Sequence, residues 1–139
     1  MGRAGAATII FLVATVFARP AGAEQRSAKA RGEYLARQVA RCVECHTPRD
    51  ESGRLVESRL FFGARIPVAK PEMLADWALE APALAGLAAV SREMLIGILT
   101  TGRTAEGHVL RPPMPEYRLS KEDAAAIADY LASLPAPVR

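Results

Sequence analysis

Cys42-Val43-Glu44-Cys45-His46 limits this chain more tightly than any other stretch, because Cys42 and Cys45 are its only cysteines and a histidine directly follows the second. Two thiols at this spacing beside an imidazole form the covalent attachment pattern of c-type haem. The thiols add across the two porphyrin vinyl groups, the two-residue spacer matches the distance between those vinyls, and the imidazole reaches the proximal face of the iron. The motif occurs once, so one haem c is expected, with Cys42, Cys45 and His46 holding it. No cysteine remains for a structural disulfide elsewhere. A thioredoxin-type redox pair also uses Cys-x-x-Cys, but at the start of a helix that follows a strand. The residues before Cys42 have helical periodicity, so the pair is expected to close a helix rather than open one. Zinc wants four ligands, and the only other histidine, His108, would complete a Cys2His2 set at an unfamiliar spacing.

The first residues read as an export signal: Arg3 is a positive start, Ala6 to Ala18 a short apolar run, and Ala21-Gly22-Ala23 a small-x-small cleavage site. Residues 1–23 are thus expected to be a signal peptide and 24–139 a single domain. The apolar run is shorter than the roughly 20 residues of a spanning helix. A retained anchor is the competing reading; cleavage would leave no permanent membrane span. Signal and motif agree chemically, since bacteria join haem to such motifs on the far side of the cytoplasmic membrane, and a periplasmic location follows. The net charge of +3 includes Arg3 and Arg19, so the remainder carries +1. Two haem propionates would bring it to about −1, and the charges are spread rather than clustered, which argues against a nucleic-acid partner.

The expected fold class is mainly α, with a few helices around one cofactor. A first helix should start at Ser27 as N-cap and run to the haem motif, with Gly32, Leu35, Ala36, Val39, Cys42 and Val43 on one face. From Thr47 to about Glu80 no helix of normal length is indicated, although Leu55-Val56 and Leu60-Phe61-Phe62 fit a small β-hairpin. So long an irregular segment within a compact domain suits wrapping a haem edge. A second helix should run from Ser91 to Thr101, capped by Ser91 and stopped by Gly102, with Met94, Leu95, Ile98 and Leu99 as its apolar face. The last should open at Ser120-Lys121-Glu122-Asp123, present Ile127, Tyr130, Leu131 and Leu134 on one face, and end at Pro135.

Haem iron held by His46 needs a sixth ligand or an open position. Met114 is the favoured candidate, because Arg111-Pro112-Pro113-Met114-Pro115 fixes backbone angles on both sides of the thioether and lowers the entropy of presenting it. Met73 and Met94 read as packing residues in or near helices. His108 would give bis-histidine ligation and a lower potential, but it follows Gly107 in a loop that reads as exposed.

Four landmarks in order make the chain resemble a class I monohaem cytochrome c over nearly all of residues 28–135. They are the helix leading to Cys42-Val43-Glu44-Cys45-His46, then Ala81-Pro82-Ala83-Leu84-Ala85-Gly86-Leu87, then Pro113-Met114-Pro115, and last the helix with Ile127-Ala128-Asp129-Tyr130-Leu131. The resemblance implies the cytochrome c fold. It also implies that the Pro82 carbonyl accepts from His46 Nδ1–H, fixing the imidazole and tuning the iron. It further implies that the first and last helices cross where Gly32 admits Tyr130, with Ala36 sharing the crossing. Trp77 and Arg65 are candidates to meet the propionates, against the plainer readings of packing and surface.

The function expected from these features is periplasmic electron transfer, with Fe(III)/Fe(II) cycling between His46 and Met114 as axial metal ligands and no catalytic residues. There is no Ser/His/Asp set, phosphate loop or dinucleotide-binding glycine pattern. Partners implied by the resemblance are a periplasmic alcohol, aldehyde or sugar dehydrogenase as donor and a terminal oxidase or reductase as acceptor. Two alternatives stand beside it: a haem enzyme or gas-binding protein with a labile sixth site, and a fixed cytochrome subunit of a dehydrogenase complex.

Overall fold

The computed structural model describes residues 21–138. Of the expected signal peptide, only Ala21–Ala23 fall inside this range; the rest lies outside the described residues. Helix α1 (Ala21–Tyr34) is already under way at Ala21, so Ser27 is an exposed mid-helix residue rather than the N-cap. Its run of Ala, Glu, Gln, Lys and Arg favours helix throughout, which leaves the serine no boundary to mark.

Past Tyr34 the helix widens into a π turn over Leu35–Val39, with Ala40 N–H bonding to Leu35 O at 2.8 Å. The extra residue rotates the phase of the face. Leu35 and Ala36 stay buried, whereas Val39, expected on the buried face, is 54% exposed. Arg41 then takes a left-handed φ of 52°, and Cys42 becomes the N-cap of a separate one-turn helix α2 (Val43–His46). The first helix therefore stops before the haem motif, and the cysteine pair opens a helical turn instead of closing one. The strained residue makes the change of direction, and Cys42 N–H still reaches back to Ala36 O at 2.9 Å.

The expected hairpin at residues 55–62 is absent. Glu57–Arg59 form a 3-10 turn, Leu55 makes only an isolated bridge with Arg49, and the backbone of Phe61, at φ 59°, bonds elsewhere. The antiparallel pair is instead β1 (Ala64–Arg65) with β2 (Glu80–Ala81), in register Ala64 with Ala81 and Arg65 with Glu80. This two-rung ladder closes the base of a loop over residues 66–79. Met73, expected to pack, sits in the Pro71–Leu74 turn of that loop and is 91% exposed; Met94 is also exposed, on the outer side of its helix. Neither has a buried face beside it to fill.

Helices α3 (Arg92–Thr101) and α4 (Lys121–Ala132) form where the sequence indicates, except that α4 is capped at Ser133 and ends before Leu134 and Pro135. Ser91 and Ser120 each accept an N-terminal amide, from Met94 and Asp123 at 3.1 Å, and Gly102 ends α3 at φ 69°. α4 packs between α1 and α3, which explains why Ala124, Ala126, Ile127, Ala128, Tyr130 and Leu131 are all buried. At the α1–α4 crossing a Cβ on Gly32 would lie 2.5 Å from the Ala126 carbonyl carbon and 2.9 Å from Tyr130 Cβ. Only glycine permits so close an approach. Arg31–Asp123 and Arg92–Asp129, both at 2.6 Å, rim the two interfaces of α4.

Candidate functional site

The α2 turn, packed against the π turn and β1, presents His46. The imidazole is buried, and burial lowers its pKa against the opposing effect of the Pro82 carbonyl, so the ring is neutral. Nδ1 lies 2.8 Å from the carbonyl oxygen of Pro82. A carbonyl can only accept, so Nδ1 carries the proton and Nε2 keeps a free lone pair for a metal. Cys42 is buried and Cys45 half-buried, and they are not joined. Burial pushes the Cys42 thiol up to about 11 and raises Cys45 as well. Neither environment makes a low-pKa thiolate of the kind a thiol–disulfide catalyst needs.

Two residues that sequence reasoning missed tie this motif to the Pro82 segment. Thr47 is 1% exposed, and its Oγ1 accepts from Phe61 N–H at 2.9 Å. The Phe61 carbonyl accepts from Leu84 N–H at 2.8 Å and Ala85 N–H at 3.0 Å, and its ring packs edge-to-face on Tyr130 with centroids 6.0 Å apart. The place of Thr47 directly after His46 was the only available signal; a left-handed phenylalanine leaves none.

Met114 is half-buried in the loop between α3 and α4, with its N–H on Arg111 O at 3.2 Å. Arg111 reaches across to the 66–79 loop, donating to Asp76 at 2.5 Å and to the Trp77 carbonyl at 3.1 Å, while Ala78 N–H bonds to Pro112 O at 2.7 Å. Tyr117 O–H donates to Ala40 O at 2.5 Å, joining the same loop to the end of the π turn. Burial and the neighbouring cysteines push this hydroxyl up to about 12, so it stays a donor. His108 is exposed at the far end of a turn closed by Thr104 N–H to His108 O, and Arg65 is exposed in β1.

The chemistry of these groups suits haem. A buried Cys42 and a half-buried Cys45, unjoined, beside an oriented imidazole are what covalent attachment and proximal ligation require. The indole Nε1–H of Trp77 is buried without an acceptor, and a propionate is an acceptor.

Fold and site together define a module built to hold a porphyrin. The chain matches the Cytochrome c family model over residues 29–135 and belongs to that family. Covalently bound haem c and haem-based electron transfer come with the family, which points to an electron-carrying role. The chain is also 32% identical over 111 residues to the fructose dehydrogenase cytochrome subunit of Gluconobacter japonicus, an alignment covering 76% of this chain and 22% of that protein. It thus spans about a fifth of that relative's length. Among the described residues, no helix is long and apolar enough to cross a membrane.

Proposed function

We propose that this protein is a periplasmic electron carrier whose single haem is held through Cys42 and Cys45 and ligated by His46 and Met114. The observation that carries the reading is the buried His46 beside the two cysteines, its Nδ1 on the Pro82 carbonyl and Thr47 next to it bonded to Phe61. Haem supplies a one-electron Fe(III)/Fe(II) couple. The chain supplies orientation and exclusion of water: Pro82 fixes the imidazole, and the proline-flanked loop would offer the Met114 thioether as the second ligand. Thioether ligation favours Fe(II) and a high potential, which suits delivery to a high-potential oxidase or reductase.

The likeness to a dehydrogenase cytochrome subunit supports a periplasmic dehydrogenase as donor, with this chain either a shuttle or a fixed subunit. Isolation under mild conditions, with or without a companion protein, distinguishes the two.

The decisive test exports the protein with haem-maturation machinery and extracts it with acid and organic solvent. Haem should stay on the wild-type polypeptide and be lost from Cys42→Ala/Cys45→Ala. Wild-type protein without haem would remove the central claim, and ready carbon monoxide binding by the reduced wild type would replace the carrier with a protein of labile sixth site.

A further inference from the structure

The Pro82 carbonyl meets His46 because three stretches of backbone are locked together by hydrogen bonds. Starting from the haem motif, His46 O accepts from Gly63 N–H at 2.9 Å and the adjacent Thr47 hydroxyl accepts from Phe61 N–H at 2.9 Å. Phe61 passes the constraint on through its own carbonyl to the amides of Leu84 and Ala85, two and three residues after Pro82. The last link returns from the Pro82 carbonyl to His46 Nδ1 at 2.8 Å. The circuit is also tight sterically: a Cβ on Gly63 would lie 2.9 Å from Ala81 O and Ala83 N and 3.1 Å from the Pro82 carbonyl carbon. Segment 61–63 is therefore seated against the very peptide that holds the ligand.

Resting on the haem reading above, we propose that Thr47 is a positioning residue for the proximal ligand, its hydroxyl holding Phe61 in its left-handed conformation and thereby setting the strength of the His46–Pro82 hydrogen bond. Besides the imidazole, the Thr47 hydroxyl is the one side-chain group among the bonds named. Removing it leaves the buried Phe61 N–H without an acceptor. A buried phenylalanine at φ 59° with one of its anchors gone relaxes toward a commoner conformation and carries the 84–85 amides, and so Pro82, with it. A weaker Nδ1–H···O bond makes the imidazole a poorer electron donor, which disfavours Fe(III) and raises the potential.

The test compares exported, haem-loaded wild type with Thr47→Val, which keeps the shape, and Thr47→Ser, which keeps the hydroxyl. Reduction potential and hydrogen exchange of the His46 ring N–H by NMR are read, with the visible spectrum checking that axial ligation is unchanged. Thr47→Val should have a higher potential and a ring N–H exchanging about tenfold faster, the size of one lost hydrogen bond; Thr47→Ser should stay near wild type in both. A haem-bearing Thr47→Val with wild-type potential and exchange overturns the proposal. Should that variant not accumulate, amide exchange in the wild type decides: the Phe61, Leu84 and Ala85 amides should fall in the slowest class, and a fast Phe61 amide overturns it. Wild type lacking haem breaks the haem reading instead, and the amide exchange still reads the Thr47 link.

Discussion

The surroundings of the two proposed axial ligands, His46 and Met114, are built differently. On the His46 side the contacts are buried and continuous, running from Thr47 through Phe61 to Leu84 and back through Pro82, with Phe61 also packed on Tyr130 of α4. On the Met114 side the loop is held by Arg111, whose side chain is 60% exposed, on Asp76 at 74%, by the Ala78–Pro112 bond, and by Tyr117. Buried hydrogen bonds break only when the surrounding core opens, whereas solvent-exposed ion pairs are worth little and exchange readily with water. Of the two proposed ligands, His46 belongs to the core and Met114 to a surface loop, so ligation by the first should be permanent and by the second conditional.

Deleting each ligand in turn applies the harshest strain to that contrast. His46→Ala removes the group around which the α2 turn, the clamp and the Pro82 segment are arranged, and is expected to leave little or no folded haem protein on export. Folding itself is expected to depend on haem, because a domain this small with so long an irregular segment buries little without it, and apoprotein should show much reduced helical circular dichroism. Met114→Ala should instead give a folded haem protein whose iron binds carbon monoxide, cyanide or peroxide that the wild type ignores. Met114→His should stay six-coordinate at a lower potential. If Met114→Ala proved as damaging as His46→Ala, the distinction between core ligand and loop ligand would fail. If His108→Ala rather than Met114→Ala opened the iron, the distal assignment itself would be wrong.

Next in size is a change that should not discriminate between the faces. Gly32→Ala places a Cβ against the Ala126 backbone and Tyr130, and the neighbour there is largely peptide that cannot swing aside. A loss of roughly 2–4 kcal/mol is expected from chemical denaturation of the haem-loaded protein. Since α4 carries Tyr130 beneath Phe61, any effect on the iron should appear first at the proximal face, as a faster His46 ring N–H exchange.

The sequence was readable wherever a local rule had one solution. Cys42, Cys45 and His46 favour haem over a redox pair or zinc at their spacing, Ser91 and Ser120 stand where serine caps a helix, and Gly102 stands where only a left-handed stop fits. The crossing at Gly32 came through resemblance, because nothing local distinguishes a glycine in an exposed helix from one pressed on another backbone. What stayed hidden was determined by long-range geometry. The π turn at Leu35–Val39 shifts the face of α1 by one residue and moves Val39 outward, and no propensity marks it. Leu55 to Phe62 has strand-like composition, but the Phe61 backbone is claimed by Thr47 and by Leu84 and Ala85, so no hairpin can form. The three Phe61 bonds join residues far apart in the chain, and the π turn, though local, has no sequence signature.

Finer changes sharpen the distal side. Tyr117→Phe keeps the ring and removes the bond to Ala40, which should cost about 1 kcal/mol. The bond links the Met114 loop to the turn before the haem motif, so its loss should loosen the loop and not the imidazole. Cyanide binding to the ferric protein is expected to become faster, with the His46 ring N–H unchanged. An altered ring N–H would mean that the two faces communicate through Ala40, and the division drawn between them would be too sharp.

The smallest effect should come from Arg111→Ala. Its partners Asp76 and the Trp77 carbonyl join the Met114 loop to the 66–79 loop, but the ion pair is solvated on both sides, and exposed pairs of this kind contribute about 0.2–1 kcal/mol. Stability by denaturation should therefore shift barely beyond error. The contact nonetheless helps hold the Met114 loop, beside the Ala78–Pro112 bond and Tyr117, so a change too small to see in global unfolding should still raise the rate at which the proposed thioether ligand leaves ferric iron. High salt should mimic the substitution in the wild type by screening the pair, and should do nothing further in Arg111→Ala. A salt-dependent cyanide on-rate that survives in Arg111→Ala would place the weak point of the distal loop elsewhere.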